Sequence, residues 1–190
     1  MKNLSTKSMA LLGILTATVV ILQYLGSFIR FGTFSISLVL VPIVVGAALI
    51  SPLGGAWLGF VFSIIVLFTD SAAFMAISPI GTIITVIVKG TLAGYLAGLV
   101  YQLLKDKNQT IAVVVAAIVC PVVNTSIFLI GCRLFFFDFI KELAGGSNVY
   151  TFMIVGLVGV NFLLELVVNI ILSPTIVRLI NYADNRYKHF

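Results

Sequence analysis

The chain is a succession of apolar runs about twenty residues long, separated by turn residues and single charges. A bilayer hydrocarbon core of about 30 Å is crossed by about 20 helical residues, so runs of this kind fold as spanning helices whose backbone groups are satisfied internally. Six such helices are predicted, over residues 8–29, 36–50, 55–69, 79–104, 110–131 and 150–180. The second and third are short and meet at Ser51-Pro52-Leu53-Gly54-Gly55, which reads as a tight turn. Merging them would place Pro52 and two glycines inside one helix. Pro42 predicts a kink in the second. The run beginning near Ser8 is too long for a signal-peptide core and lacks a cleavage site, so it reads as a retained first span.

Composition agrees. With 61% hydrophobic and 9% charged residues, the 190-residue chain lacks the polar surface that a soluble globule needs. A soluble enzyme, a disordered tail and a disulfide scaffold are excluded. The fold expected is an all-α membrane protein, a compact bundle of six transmembrane helices in one domain. The net charge of +5 does not point to nucleic acid, because the cations are scattered singly between apolar runs. Cys120 and Cys132 are twelve residues apart, which fits no metal motif, and read as small hydrophobes.

Loop charge sets the orientation. With both termini inside, the cytoplasmic cations are Lys2, Lys7, Lys105, Lys107, Arg178, Arg186 and Lys188, against Arg30, Arg133 and Lys141 outside. This asymmetry predicts an N-in, C-in topology with outer connections at 30–35, 70–78 and 132–149. In the last, Arg133-Leu-Phe-Phe-Phe-Asp-Phe-Ile-Lys-Glu-Leu143 mixes aromatics with charges. It reads either as an interfacial helix or as a lid over a pocket.

Polar side chains inside the spans are the most informative positions, since each costs several kcal/mol unless it meets a partner or a cavity. Lys89 lies ten residues into the fourth span, about 15 Å deep at 1.5 Å per residue. Asn161, Glu165 and Asn169 are spaced i, i+4, i+8 and share one stripe of the sixth span. Asn124, beside Thr125 and Ser126, supplies a polar point from the fifth. Two readings follow. In one, Lys89 and Glu165 pair while the amides tie helices together. In the other, the groups line a pocket for a small polar ligand, with Asn124 or Asn161 bonding to it and Lys89 neutralising a carboxylate. Candidate apolar walls for such a pocket are Phe31, Phe34, Phe74, Phe128 and Phe135.

Small residues four apart form a second pattern, which lets helices approach closely: Gly55 and Gly59 in the third span, and Gly90, Gly94 and Gly98 in the fourth. Gly13 and Ala17 in the first could serve docking to a separate membrane subunit. Catalytic signatures are missing. The sole histidine is His189, the acids are not paired within the spans, and no phosphate-binding G-x-x-x-x-G-K-[ST] loop occurs. The chain therefore reads as a non-enzyme without cofactor or metal, and uphill transport would need ATP hydrolysis by other chains.

The small-residue stripe in helix one stands beside the run Ser37-Leu-Val-Leu-Val-Pro42-Ile-Val-Val-Gly46 that leads into Ser51-Pro52-Leu-Gly-Gly55. Together with Lys89-Gly90-Thr-Leu-Ala-Gly94, Asn124-Thr125 and Asn161-Phe-Leu-Leu-Glu165, it resembles the substrate-binding S components of energy-coupling factor (ECF) vitamin transporters, most closely the pantothenate-specific branch. The resemblance covers essentially the whole chain. It implies a bacterial cell-membrane protein that binds a vitamin from outside and works with a transmembrane coupling subunit and two cytoplasmic ATPases. It also implies a site built from the outer parts of helices four to six and the outer loops, with Lys89 on the pantothenate carboxylate and Asn124 and Asn161 on its amide or hydroxyls. Where the family's docking motif has two alanines four apart, this chain has Gly13 and Ala17. Riboflavin, pyridoxine or hydroxymethylpyrimidine are alternative cargoes, and a small self-sufficient channel or secondary carrier is the alternative class.

Overall fold

The computed structural model describes residues 6–28, 30–31, 34–35 and 39–188, with side chains over 6–28 and 39–182. Helix α1 (Thr6–Gly26) is followed by a two-residue antiparallel pairing, β1 (Arg30–Phe31) with β2 (Phe34–Ser35), in which Arg30 lies opposite Ser35 and Phe31 opposite Phe34. Then come α2 (Leu40–Leu49), α3 (Pro52–Thr69), α4 (Ala72–Ile77), α5 (Pro79–Leu104), α6 (Gln109–Phe135), α7 (Phe137–Leu143), α8 (Val149–Thr151), a π-helical segment at Phe152–Leu157, and α9 (Gly159–Lys188).

Five helices, α1, α3, α5, α6 and α9, are long and apolar enough to cross a membrane. The expected second span is different. Helix α2 has only ten residues, about 15 Å of rise, and seven of them are buried. A helix apolar all round belongs in an interior, and α2 is packed against α3, α5, α6 and α9. The kink expected at Pro42 is not needed. Pro42 is the third residue of α2, in the first turn, where a backbone N–H would have no intrahelical acceptor.

Helix starts follow side-chain chemistry. The Ser51 hydroxyl accepts from Gly54 N at 3.0 Å and Pro52 occupies the first turn, so α3 begins three residues before the expected Gly55. Ser78 and Pro79 open α5 in the same way. Asn108 caps α6 by accepting from Ile111 N. The expected outer connections also contain structure: α4 lies in 70–78, and α6 runs four residues beyond its expected end before α7 begins. The last span is a π segment joined to a long helix, where one uninterrupted helix was expected. Gly145 and Gly146 follow α7 with φ of 56° and 92°, left-handed backbone that favours glycine.

The tightest packing joins α3 to α5. A Cβ on Gly55 would run into the Gly94 carbonyl, and one on Gly59 into the Gly90 carbonyl. The Ser63 hydroxyl, fully buried, lies 2.9 Å from Gly59 O and 2.7 Å from Val86 O, joining the same two helices. Gly13 and Ala17 are exposed on α1, and a Cβ on Gly13 would meet nothing within 4 Å. Cys120 and Cys132 are both free and buried.

Substitution at the two glycine positions separates these environments. Gly59→Val is expected to destabilise the protein by about 2 kcal/mol or more through overpacking, read as a lower thermal unfolding temperature in detergent. Gly13→Val is expected to leave that temperature unchanged.

Candidate functional site

Five elements converge on one partly open cavity. Helix α1 contributes Gln23; α3 and its C-cap contribute Phe62, Val66 and Asp70; α5 contributes Lys89. Helix α6 adds Asn124, Thr125 and Phe128. The junction before α9 and α9 itself add Val158, Asn161, Phe162 and Glu165. Lys89, Asn124, Asn161 and Glu165, proposed from sequence as one constellation, therefore face one hollow.

Lys89 is placed by the glycine contact. It precedes Gly90, and the register of Gly59 and Ser63 against Gly90 and Val86 fixes the rotation of α5 at that point. Its ammonium lies 5.1 Å from the Phe128 ring centroid and 5.9 Å from that of Phe62, within cation–π range. Asp70 is held by Gln23, whose Nε2 donates to Oδ2 at 3.0 Å, and by Thr69, whose hydroxyl donates at 2.9 Å. Gln23 is 1% exposed.

The stripe on α9 is inward along its length, with Asn161, Glu165, Asn169 and Ser173 all buried. Its members divide by role. Asn161 and Glu165 line the cavity, whereas Asn169 Nδ2 donates to Glu165 O at 2.8 Å and the Ser173 hydroxyl donates to Asn169 O at 2.8 Å. The lower half of the stripe is thus bonded to its own helix.

The Oδ1 atoms of Asn124 and Asn161 and Oε1 of Gln23 are buried with no hydrogen-bond partner among the described residues. Each such acceptor costs about 1–3 kcal/mol unless something donates to it. Three of them around one hollow, beside an ammonium and two carboxylates, make a surface complementary to a molecule with several N–H or O–H donors and an anionic or carbonyl group. Among the described residues, no group of three His, Cys, Asp or Glu side chains is placed to hold a metal ion.

A second, smaller cavity shares Val66, Asp70, Lys89 and Phe128 with the first. Its other walls are Ser71, Phe74, Thr82, Thr85, Val86 and Phe136. Phe74 stands edge-on to Phe128, Phe136 and Phe139, with centroids 5.7, 4.9 and 5.9 Å away. Helix α7 rests on this aromatic group through the fully buried Ile140.

Of the aromatic walls expected from sequence, Phe128 lines both cavities and Phe74 only the second. Phe135 lines neither. It is 40% exposed and stands against Phe136. The side chains of Phe31 and Phe34 lie outside the described residues. Sequence reasoning missed Gln23, Phe62 and Phe162, and gave Asp70 no place in the site. Gln23 carried a usable signal, since it is the sole amide in the first span.

A family model described as ECF transporter, substrate-specific component, matches residues 7–177. No curated protein and no solved structure matches the chain.

The divided roles on α9 can be measured. Ser173→Ala removes a satisfied buried hydrogen bond, from the Ser173 hydroxyl to Asn169 O, and is expected to lower stability by about 1 kcal/mol. Asn161→Ala removes an acceptor that has no partner among the described residues, and is expected to leave the unfolding temperature of the ligand-free protein unchanged or slightly higher. Thermal unfolding of the two purified variants distinguishes them.

Proposed function

The chain belongs to the substrate-specific components of ECF transporters, and on that premise we propose that it captures pantothenate from outside the cell and hands it inward. The family is one of transporters, not enzymes: its members bind a small-molecule substrate and work with a membrane-embedded module. With its apolar helices, this chain is a multi-pass membrane protein.

The observation that carries the choice of cargo is the set of three orphaned amide oxygens beside Lys89 in one cavity. Pantothenate has three donors, two hydroxyls and an amide N–H, to meet Gln23, Asn124 and Asn161, and a carboxylate to meet Lys89. The paired reading of Lys89 and Glu165 does not account for three amide oxygens beside the same hollow without hydrogen-bond partners among the described residues. Asp70 and Glu165 favour a second reading, a donor-rich neutral heterocycle such as pyridoxine or hydroxymethylpyrimidine, which would put N–H or O–H groups on the carboxylates.

The transport cycle follows from the same assignments. The whole chain acts as one substrate-binding domain in a bacterial cell membrane, with α2 as a short sixth segment, both termini inside, and the end carrying α4 and α7 outside. A transmembrane coupling subunit docks on the exposed Gly13 and Ala17 face of α1, where small side chains permit close helix contact. Two cytoplasmic ATPases drive release.

Equilibrium titration of the detergent-purified protein with a panel of B vitamins tests the reading. Tight binding of pantothenate is expected, and Lys89→Ala should weaken it more than tenfold. Silence across the panel would overturn the vitamin assignment, and flux in liposomes free of any ATPase would favour a self-sufficient carrier. Gly13→Leu is expected to retain pantothenate binding while abolishing concentrative uptake in cells that supply the coupling module. Unaltered uptake would remove α1 as the docking face.

A further inference from the structure

The pantothenate reading uses only the amide-lined cavity and leaves the second one without a task. That second cavity lies against the first and shares four of its lining residues, Val66, Asp70, Lys89 and Phe128. Lys89 and Asp70 therefore stand at a waist between two chambers of different chemistry. The first presents amides and a carboxylate. The second runs along α5 from Lys89 past Thr85 toward Thr82, under a roof of Phe74 and Phe136.

The polar atoms of this second chamber are sparse and differ in state. The Ser71 hydroxyl donates to Val66 O at 3.0 Å and the Thr82 hydroxyl donates to Ser78 O at 2.8 Å, so both protons are committed to backbone carbonyls. Thr85 is the exception. It is 4% exposed, and its hydroxyl has no hydrogen-bond partner among the described residues. It is also pinned: a Cβ on Gly131 of α6 would come within 2.9 Å of Thr85 Cβ, so only a glycine there leaves room for the threonine. A buried hydroxyl held in place at the edge of an aromatic chamber, one turn from an ammonium, can bond a single amide or carbonyl group on an otherwise apolar chain.

We infer that the two cavities form one two-chambered site, and that the protein also accepts carboxyl-extended amides of its cargo. In such a ligand the donor-rich end fills the amide chamber, and the carbonyl of the former carboxyl group meets Lys89 at the waist. The apolar extension then lies beneath Phe74 and Phe136, with one amide or carbonyl group at Thr85. This rests on the pantothenate reading, and it adds that the carboxylate end of the molecule faces free space in place of a closed wall. The substrate class widens from a short acid to two-ended molecules that share its head.

Two probes that differ only in the extension test the inference: pantothenate, and pantetheine, in which the carboxyl group is joined through an amide to a short thiol-ended chain. Each is titrated against the full-length protein in detergent under reducing conditions. Pantetheine is expected to bind within tenfold of pantothenate. Thr85→Val, which keeps the shape and sacrifices no internal hydrogen bond, should weaken pantetheine about fivefold and leave pantothenate unchanged. Val86→Phe, which fills the second chamber alone, should abolish pantetheine binding while pantothenate binding persists and certifies the fold. Tight pantothenate binding with none of pantetheine, or equal loss of both probes in Thr85→Val, would overturn the two-chambered site and leave the pantothenate reading standing. Binding of neither probe to the unsubstituted protein would overturn both.

Discussion

The contact of α3 with α5, backbone against backbone at Gly55, Gly59, Gly90 and Gly94, sets the geometry on which the rest depends. Apolar burial cannot by itself draw helices together in lipid, so close packing of small residues and interhelical hydrogen bonds must hold the bundle. Here the two coincide, because the Ser63 hydroxyl reaches the Val86 carbonyl beside the glycine contact. The consequence is positional. With α5 unable to turn or slide, the ammonium of Lys89 comes out between the rings of Phe62 and Phe128, and α6 closes over the other side of α5 with Gly131 against Thr85.

A cation inside the bundle is tolerated because its surroundings are polar and aromatic. Asp70 and Glu165 share its cavity, and the two rings offer their negative faces. A ligand site, in place of a structural ion pair, is proposed on the strength of the neighbouring amides. Lower on the α9 stripe, Asn169 Nδ2 and the Ser173 hydroxyl donate to carbonyls of their own helix, Glu165 O and Asn169 O, while Asn169 Oδ1 has no hydrogen-bond partner among the described residues. One and two turns earlier on the same stripe the side chains open onto the hollow, and the Asn161 acceptor has no partner among the described residues. The same helix therefore has one part that lines the cavity and one part whose side chains bond to its own backbone.

Much of this was legible in the sequence, and what was not has physical causes. The i, i+4 stripe of α9 and the glycine spacings of α3 and α5 depend only on helical periodicity, and the stripe is buried and the glycines meet backbone to backbone as expected. Helix α2 was misread because hydropathy does not distinguish a segment buried in protein from one buried in lipid, and Pro42 because a first-turn proline and a mid-helix proline look alike until the helix start is known. Gln23 was missed because one amide in a 21-residue apolar helix gives no periodic signal. Asp70 acquired its role only when α1 packed on α3 and brought Gln23, 47 positions away, within 3.0 Å. Helices α4 and α7 are too short for periodicity to show, and the aromatic group they share is assembled from three separate segments.

The claim at the centre is that Lys89 and the amides of Gln23, Asn124 and Asn161 are arranged around a cargo and not around one another. A high-resolution experimental structure of the protein purified from cells grown in rich medium tests it most directly. The account predicts well-ordered density for an organic molecule within hydrogen-bonding distance of Lys89 Nζ and of at least two of the three amides. A closed hollow, in which Lys89 is bonded to Glu165 and the amides are bonded to one another across the helices, would contradict it.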